Sequence, residues 1–165
     1  MEIKIRPYQT QDAETIVGIL NYYIANSTAL YDYELRTLEQ QQSIFEEKLF
    51  KGFPVIVVTI DERIVGFGYY SEFRFREAYK FTVEHSVYVA PNEHGNGIGK
   101  VILQNLIDLA KKQKLHTMIG VIDAENENSI AFHEQFGFAT VGIIRESGFK
   151  FDRWLHSVIM QLILE

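Results

Sequence analysis

Thr82-Val83-Glu84-His85-Ser86-Val87-Tyr88-Val89-Ala90-Pro91-Asn92-Glu93-His94-Gly95-Asn96-Gly97-Ile98-Gly99-Lys100 is the stretch on which the reading of this chain turns. Its first half, from Phe81, alternates as a strand does. Phe81, Val83, His85, Val87 and Val89 share one face, and Thr82, Glu84, Ser86 and Tyr88 share the other. Pro91 ends the strand. Three glycines follow, and then Ile98, Val101, Ile102, Leu106, Leu109 and Ala110 recur at helical spacing. Glycines permit positive φ and let backbone N–H groups converge, and a helix N-terminus behind them favours an anion. Lys100 adds a charge in the first turn. Isolated glycines usually make a plain turn; the strand before them and the amphipathic helix after them favour an anion site here.

Two common nucleotide loops do not fit. A Walker A loop needs Ser or Thr after Gly-Lys, and here Val101 follows Gly99-Lys100. A dinucleotide fingerprint needs its third glycine one residue later and belongs after the first strand of its unit.

Working outward, Ile3 to Tyr8 reads as a short strand. Asp12 is placed to cap a helix through Ala25 with Ile16, Ile19, Leu20, Tyr23 and Ile24 inward. Thr37 to Phe50 reads as a second helix with Leu38, Ile44, Phe45 and Leu49 inward. Val55–Ile60 and Ile64–Tyr70 flank a turn and read as a hairpin. Thr117 to Ile122 is another β run. Asn128 or Ser129 is placed to cap a short helix that stops at Gly137. Strands near 139–145 and 156–164 close the chain. The order β-α-α-β-β-β-α-β-α-β-β predicts one α/β domain over residues 1–165, a mixed sheet between layers of helices.

Composition narrows the function classes. The chain has 165 residues, 47% hydrophobic and 23% charged, as a soluble globular domain does. A net charge of −6 argues against a nucleic-acid partner. No apolar run is long enough to span a bilayer, and no signal peptide is evident, so the expected location is cytoplasmic and not membrane-bound. With no cysteine there is no thiol nucleophile. The five histidines show no metal-ligand spacing, so no metal is expected.

The spacing His94-x-x-Gly97-x-Gly99 resembles the Gln/Arg-x-x-Gly-x-Gly/Ala pyrophosphate loop of the GCN5-related N-acetyltransferase (GNAT) superfamily, with His94 in place of Gln or Arg. The resemblance extends to Asn126, Asn128 and Gly137-Phe138 and covers nearly the whole chain. Asn21-Tyr22-Tyr23-Ile24, Arg76-x-x-Tyr79 and Thr82-Val83-Glu84-x-Ser86-Val87-Tyr88-Val89 are similar to the phosphinothricin and methionine sulfoximine N-acetyltransferases. The resemblance implies a three-layer GNAT-type fold and direct acetyl transfer from acetyl-CoA, the co-substrate, to the amine of a small amino-acid analogue.

The same resemblance implies site roles. Glu84 is the expected general base. The backbone of Val87, Tyr88 and Val89 is expected to pair with the pantetheine arm. His94, Gly95, Asn96, Gly97, Ile98, Gly99 and Lys100 are expected around the diphosphate, with Asn126 on the cofactor and Asn128 as the helix cap. His133 takes the place of a Tyr proposed to protonate the leaving thiolate, and a packed helix histidine is an equal reading. Arg74, Phe75, Arg76 and Tyr79, with Glu84, His85 and Ser86, are expected at the substrate; guanidinium suits a carboxylate. Relatives of this kind are commonly homodimers, with Trp154 and the C-terminal segment as the expected contact. Three rivals are another small amine as substrate, a non-catalytic acyl-CoA sensor, and a nucleotide-phosphate binder. The sensor would need no carboxylate at Glu84.

Overall fold

A computed structural model describes residues 2–165. Its elements are β1 (Ile3–Pro7), α1 (Ala13–Asn26), α2 (Leu38–Phe50), β2 (Val55–Ile60), β3 (Arg63–Glu72), β4 (Thr82–Val89), α3 (Ile98–Lys112), β5 (Thr117–Asp123), α4 (Glu127–Glu134), β6 (Ala139–Lys150) and β7 (Arg153–Ile163). The seven strands form one sheet in the order β1-β2-β3-β4-β5-β7-β6. Every neighbouring pair is antiparallel except β4 and β5. No helix among the described residues is long and apolar enough to cross a membrane.

Each face of the sheet buries its own apolar layer. One packs α3 against Val58, Val65, Val83, Met118 and Val158 through Ile98, Ile102, Leu103 and Leu106. The other packs Ile16, Leu20 and Phe45 of α1 and α2 against Val55, Val57, Phe67 and Tyr88. The amphipathic pattern of α3 and the all-buried run of β2 account for these layers.

Two glycines of β3 set how closely α3 approaches. A Cβ added at Gly68 would lie 2.4 Å from Ile102 Cγ2 and 3.1 Å from the Ser86 carbonyl oxygen. Neither group can retreat cheaply, because one is a branched methyl in the core and the other is backbone. Gly68→Ala is therefore expected to destabilise the fold by about 1–3 kcal/mol, read as a lower urea midpoint. An unchanged midpoint would mean that α3 shifts freely.

The structure departs from the sequence expectations in four places. Asp12 does not cap α1; its carboxylate is held by Arg6 at 2.7 and 2.8 Å and accepts from the Gln9 N–H. In α2, Leu38 and Leu49 are exposed, while Gln41 is buried and accepts from Arg36. Asn126, not Asn128 or Ser129, caps α4, its Oδ1 accepting from the Ser129 N–H at 3.1 Å. Finally, β6 and β7 run longer than expected, to a tight turn at Phe151 and Asp152, both at positive φ. A bulge between Ile144 and Gly148, with Glu146 at φ 52°, breaks the alternation that would have marked the longer strand.

Candidate functional site

Strands β4 and β5 pair only over Thr82–Glu84 and Thr117–Ile119, and then diverge. Beyond Glu84, β4 keeps β3 on one side and opens on the other, so backbone groups along that edge have no strand partner. The sequence makes this possible because Pro91 and the glycine turn carry the chain away from β4 into α3, and Asn126 starts α4 across the opening. The result is a cleft of about 550 Å³.

Most of the residues expected at the cofactor line this cleft: Val87, Tyr88, Val89, His94, Gly95, Gly97, Ile98, Gly99, Lys100 and Asn126, together with His85, Ser86 and His133. Asn96 is not among the lining residues; its side-chain amide lies 3.4 Å from the Glu93 carboxylate. Gly95 and Gly97 adopt φ 85° and 77°, a conformation that favours glycine, and Gly97 serves as the N-cap of α3. The turn therefore presents free N–H groups and the positive end of α3 to the cleft, a cradle suited to a diphosphate. An extended, amide-bearing pantetheine arm fits the unpaired edge of β4 in the same way. Asn128 also lines the cleft, freed for that by Asn126 taking the cap.

Three features of the cleft wall were not legible in the sequence. The first is a histidine pair. His85 and His133 are both buried, their rings lie within 6° of parallel, and their Nε2 atoms are 3.1 Å apart. His133 Nδ1 lies 2.7 Å from the Ser129 carbonyl oxygen. A carbonyl only accepts, so Nδ1 carries the hydrogen and neutral His133 accepts at Nε2. His85 must then donate from Nε2, which leaves its buried Nδ1 bare, and that atom has no partner among the described residues. Burial holds both rings below the usual histidine range, His85 at about 3 with a further push from His133. The pair sits over Gly120 of β5, where a Cβ would meet both rings at 3.4–3.5 Å.

The second is Tyr23 of α1, whose hydroxyl bridges the Val89 carbonyl and His94 Nε2. The third is a strap. The loop between α1 and α2 is tied across to the last hairpin: Lys150, itself buried, donates to the carbonyls of Ser27 and Leu30 at 2.8 and 2.7 Å. Tyr31 donates to Asp123 and Tyr33 to the Phe149 carbonyl. Gly148 leaves room for the Tyr31 ring against the hairpin, where an added Cβ would come within 2.4 Å of it.

Glu84 occupies the vertex where β4 leaves β5, on the sheet face opposite His85. Burial raises its pKa, and the ammonium of Lys48 on α2 opposes that rise. Lys48 is itself lowered by burial; it donates to Ser71, the β3 partner of Glu84, at 3.2 Å and lies 4.8 Å above the Tyr69 ring. Arg74, Phe75, Arg76 and Tyr79 are exposed on the segment that leads from β3 into β4, outside the cleft. Each guanidinium lies over an aromatic ring, Arg74 on Phe73 and Arg76 on Phe75. The vertex thus joins two half-sites, an anion cleft on one side and a carboxylate with neighbouring cations on the other.

Comparisons with known proteins agree with this geometry. The profile described as Acetyltransferase (GNAT) family matches residues 16–138. The whole chain is 35% identical to an L-methionine sulfoximine/L-methionine sulfone acetyltransferase of Pseudomonas aeruginosa PAO1, covering 96% of that protein. An N-acetyltransferase structure from Staphylococcus aureus Mu50 superposes with a TM-score of 0.98 at 36% identity, each chain fully covered. A phosphinothricin acetyltransferase from Sinorhizobium meliloti, solved in complex with acetyl-CoA, superposes with a TM-score of 0.95 at 32% identity, covering 99% of this chain and 89% of that one.

Proposed function

Because this chain belongs to the GNAT family of N-acetyltransferases, we propose that it acetylates the α-amine of a small amino-acid analogue of the methionine sulfoximine or phosphinothricin type. The observation that carries this reading is Glu84, half-buried at the vertex where β4 leaves β5 and its open edge begins, with Lys48 as its charged neighbour. Acetyl-CoA, when bound, supplies the activated acetyl group. The chain's own residues do the rest. Glu84 takes a proton from the substrate ammonium on its carboxylate. The arginines at 74 and 76 hold the substrate carboxylate, turning the amine toward the cleft. Backbone N–H groups on the free edge of β4 donate to the carbonyl oxygen as charge builds on it. As the new C–N bond replaces the C–S bond, the amine gives up its second proton, which leaves with the coenzyme A thiol. No cysteine is present to carry an acyl group, which fits direct attack by the amine.

His133 enters this reading as a positioning residue. Both of its nitrogens are committed, one to Ser129 and one to His85, so the acid role expected of it requires one of these bonds to open. The pair instead ties α4 to β4 across the cleft floor.

We assign self-association to the last hairpin, where Val141, Ile143, Phe149 and Trp154 are exposed together on β6 and β7. A cytoplasmic location belongs to the same reading.

The test is acetyl-CoA consumption over amino acids, their sulfoximine, sulfone and phosphinic analogues, and polyamines. Turnover is expected with the amino-acid analogues and not with polyamines, which the two arginines repel. Tight acetyl-CoA binding without turnover of any amine would overturn the catalytic reading and favour a sensor.

A further inference from the structure

His94 stands where the resembling loops carry Gln or Arg, side chains that offer an N–H to a phosphate in every protonation state they visit. Histidine does not, and the hydrogen bonds around it fix which nitrogen holds its proton. The Tyr23 hydroxyl lies 2.5 Å from the Val89 carbonyl oxygen and 2.8 Å from His94 Nε2. The carbonyl can only accept, so the single phenolic hydrogen points to Val89. Burial pushes the Tyr23 pKa up to about 12, so that hydrogen stays in place at any working pH. Toward His94, Tyr23 is therefore an acceptor, and Nε2 must be the N–H. In the neutral ring this leaves Nδ1 as a bare lone pair, and Nδ1 of His94 has no partner among the described residues. It belongs to a side chain that lines the cleft beside Gly95, Gly97 and Lys100. A lone pair there opposes a phosphate oxygen, whereas a proton turns the same atom into a charge-assisted donor.

We propose that His94 takes up a proton at Nδ1 when the diphosphate of coenzyme A enters the glycine turn, coupling cofactor affinity to pH through this one side chain. The proposal rests on the reading above that the turn holds that diphosphate. The surrounding charges leave the proton to the ligand. Tyr23 faces His94 from α1 with Tyr22 packed at the Tyr23 ring, and burial keeps the Tyr23 hydroxyl uncharged near neutrality. Glu93 beside it is already held by Arg63 of β3 at 2.7 Å and approached by the Asn96 amide. Lys100 of α3 stands on the phosphate side, where it shares the ligand's charge with His94 rather than supplying it with a proton. The sign follows directly. The bound state holds more protons than the free state, so affinity is greatest at low pH and falls by up to about tenfold per pH unit as pH rises through the uptake window.

The test is titration calorimetry with 3′-dephospho-coenzyme A, whose diphosphate diester does not titrate near neutrality, in two buffers of different ionisation enthalpy. The wild type is expected to take up a measurable fraction of one proton on binding at pH 7. His94→Gln is expected to take up none and to lose the decline in affinity between pH 6 and 8. Tyr23→Phe removes the acceptor that pins Nε2–H, so neutral His94 can present Nδ1–H; its uptake is expected to fall and its affinity at pH 8 to recover. Wild-type binding without proton uptake, or equal uptake in His94→Gln, would overturn the coupling while leaving the diphosphate site standing. Failure of the wild type to bind either this probe or coenzyme A would overturn the site reading and the coupling with it.

Discussion

Glu84→Gln is expected to lower kcat by about 10²–10⁴-fold while changing the acetyl-CoA Kd by less than about twofold. The amide keeps the size and much of the hydrogen bonding of the carboxylate but cannot take a proton from an ammonium. The split between kcat and Kd follows from where Glu84 lies. It lies at the vertex and is not among the residues that line the cleft, which begins at His85 and runs along the open edge of β4 to the glycine turn. Because Glu84 must be ionised to act, kcat/KM should fall on the acid side of the profile. Burial moves that fall to higher pH than for a free carboxylate, and the Lys48 ammonium holds it back. Steady-state kinetics with a fluorescent thiol readout, together with calorimetry for the cofactor, measures both quantities. A variant with unchanged kcat would remove Glu84 as the base. A variant that loses cofactor affinity in proportion would make it a structural residue.

The second large effect is an acid-side loss of stability carried by the histidine pair. His85 is buried neutral, with its folded-state pKa near 3 against an ordinary value of 6.5. The unfolded chain therefore binds a proton that the folded chain refuses, and stability is full above pH 6.5 and is lost as pH falls toward 3. The contribution lost by pH 4 is on the order of 3 kcal/mol, and His133 adds to it in the same direction. Lowering the pH from 6.5 to 5.5 should already reduce Tm, above the range in which the carboxylates held low in the fold, Asp12 and Glu72, begin to contribute. Proton NMR of the imidazole Cε1–H signals gives the residue-level check, with His85 not titrating between pH 5 and 8 and the His133 midpoint displaced below that of a free imidazole. A His133 signal that titrates near neutrality would return the proton-donor role to that residue. A flat Tm over the same window would contradict the buried neutral pair.

Much of this was legible from the amino acids because local chemistry and tertiary role coincide along β4 and the turn after it. Alternation placed His85 and Glu84 on opposite faces, and three glycines after a proline located the start of α3. What was hidden depends on elements that meet only in space. His85 and His133 are 48 residues apart and touch because β4 and β5 splay and α4 crosses the opening. Tyr23 looks like one more apolar position on α1, yet its hydroxyl reaches 71 residues along the chain to His94. Helix α2 misleads for a different reason. Its apolar residues are too few to define a stripe, so Gln41, satisfied by Arg36, is buried where Leu38 and Leu49 are not. In the last hairpin the bulge near Glu146 disrupts the very alternation by which a strand is recognised.

The strap from Lys150 to the α1–α2 loop bears on how this scaffold can be retuned. An acceptor preference is commonly altered by transplanting the loop that borders the pocket. Here residues 27–37 do not form a separable module, because Ser27, Leu30, Tyr31 and Tyr33 are all moored to the far end of the chain. A foreign loop that withdrew its carbonyls would strand a buried ammonium, and a side chain at position 148 would bar the Tyr31 ring from its seat. Any graft therefore has to carry the hairpin tip with it, so that two segments more than a hundred residues apart are exchanged as a single cassette.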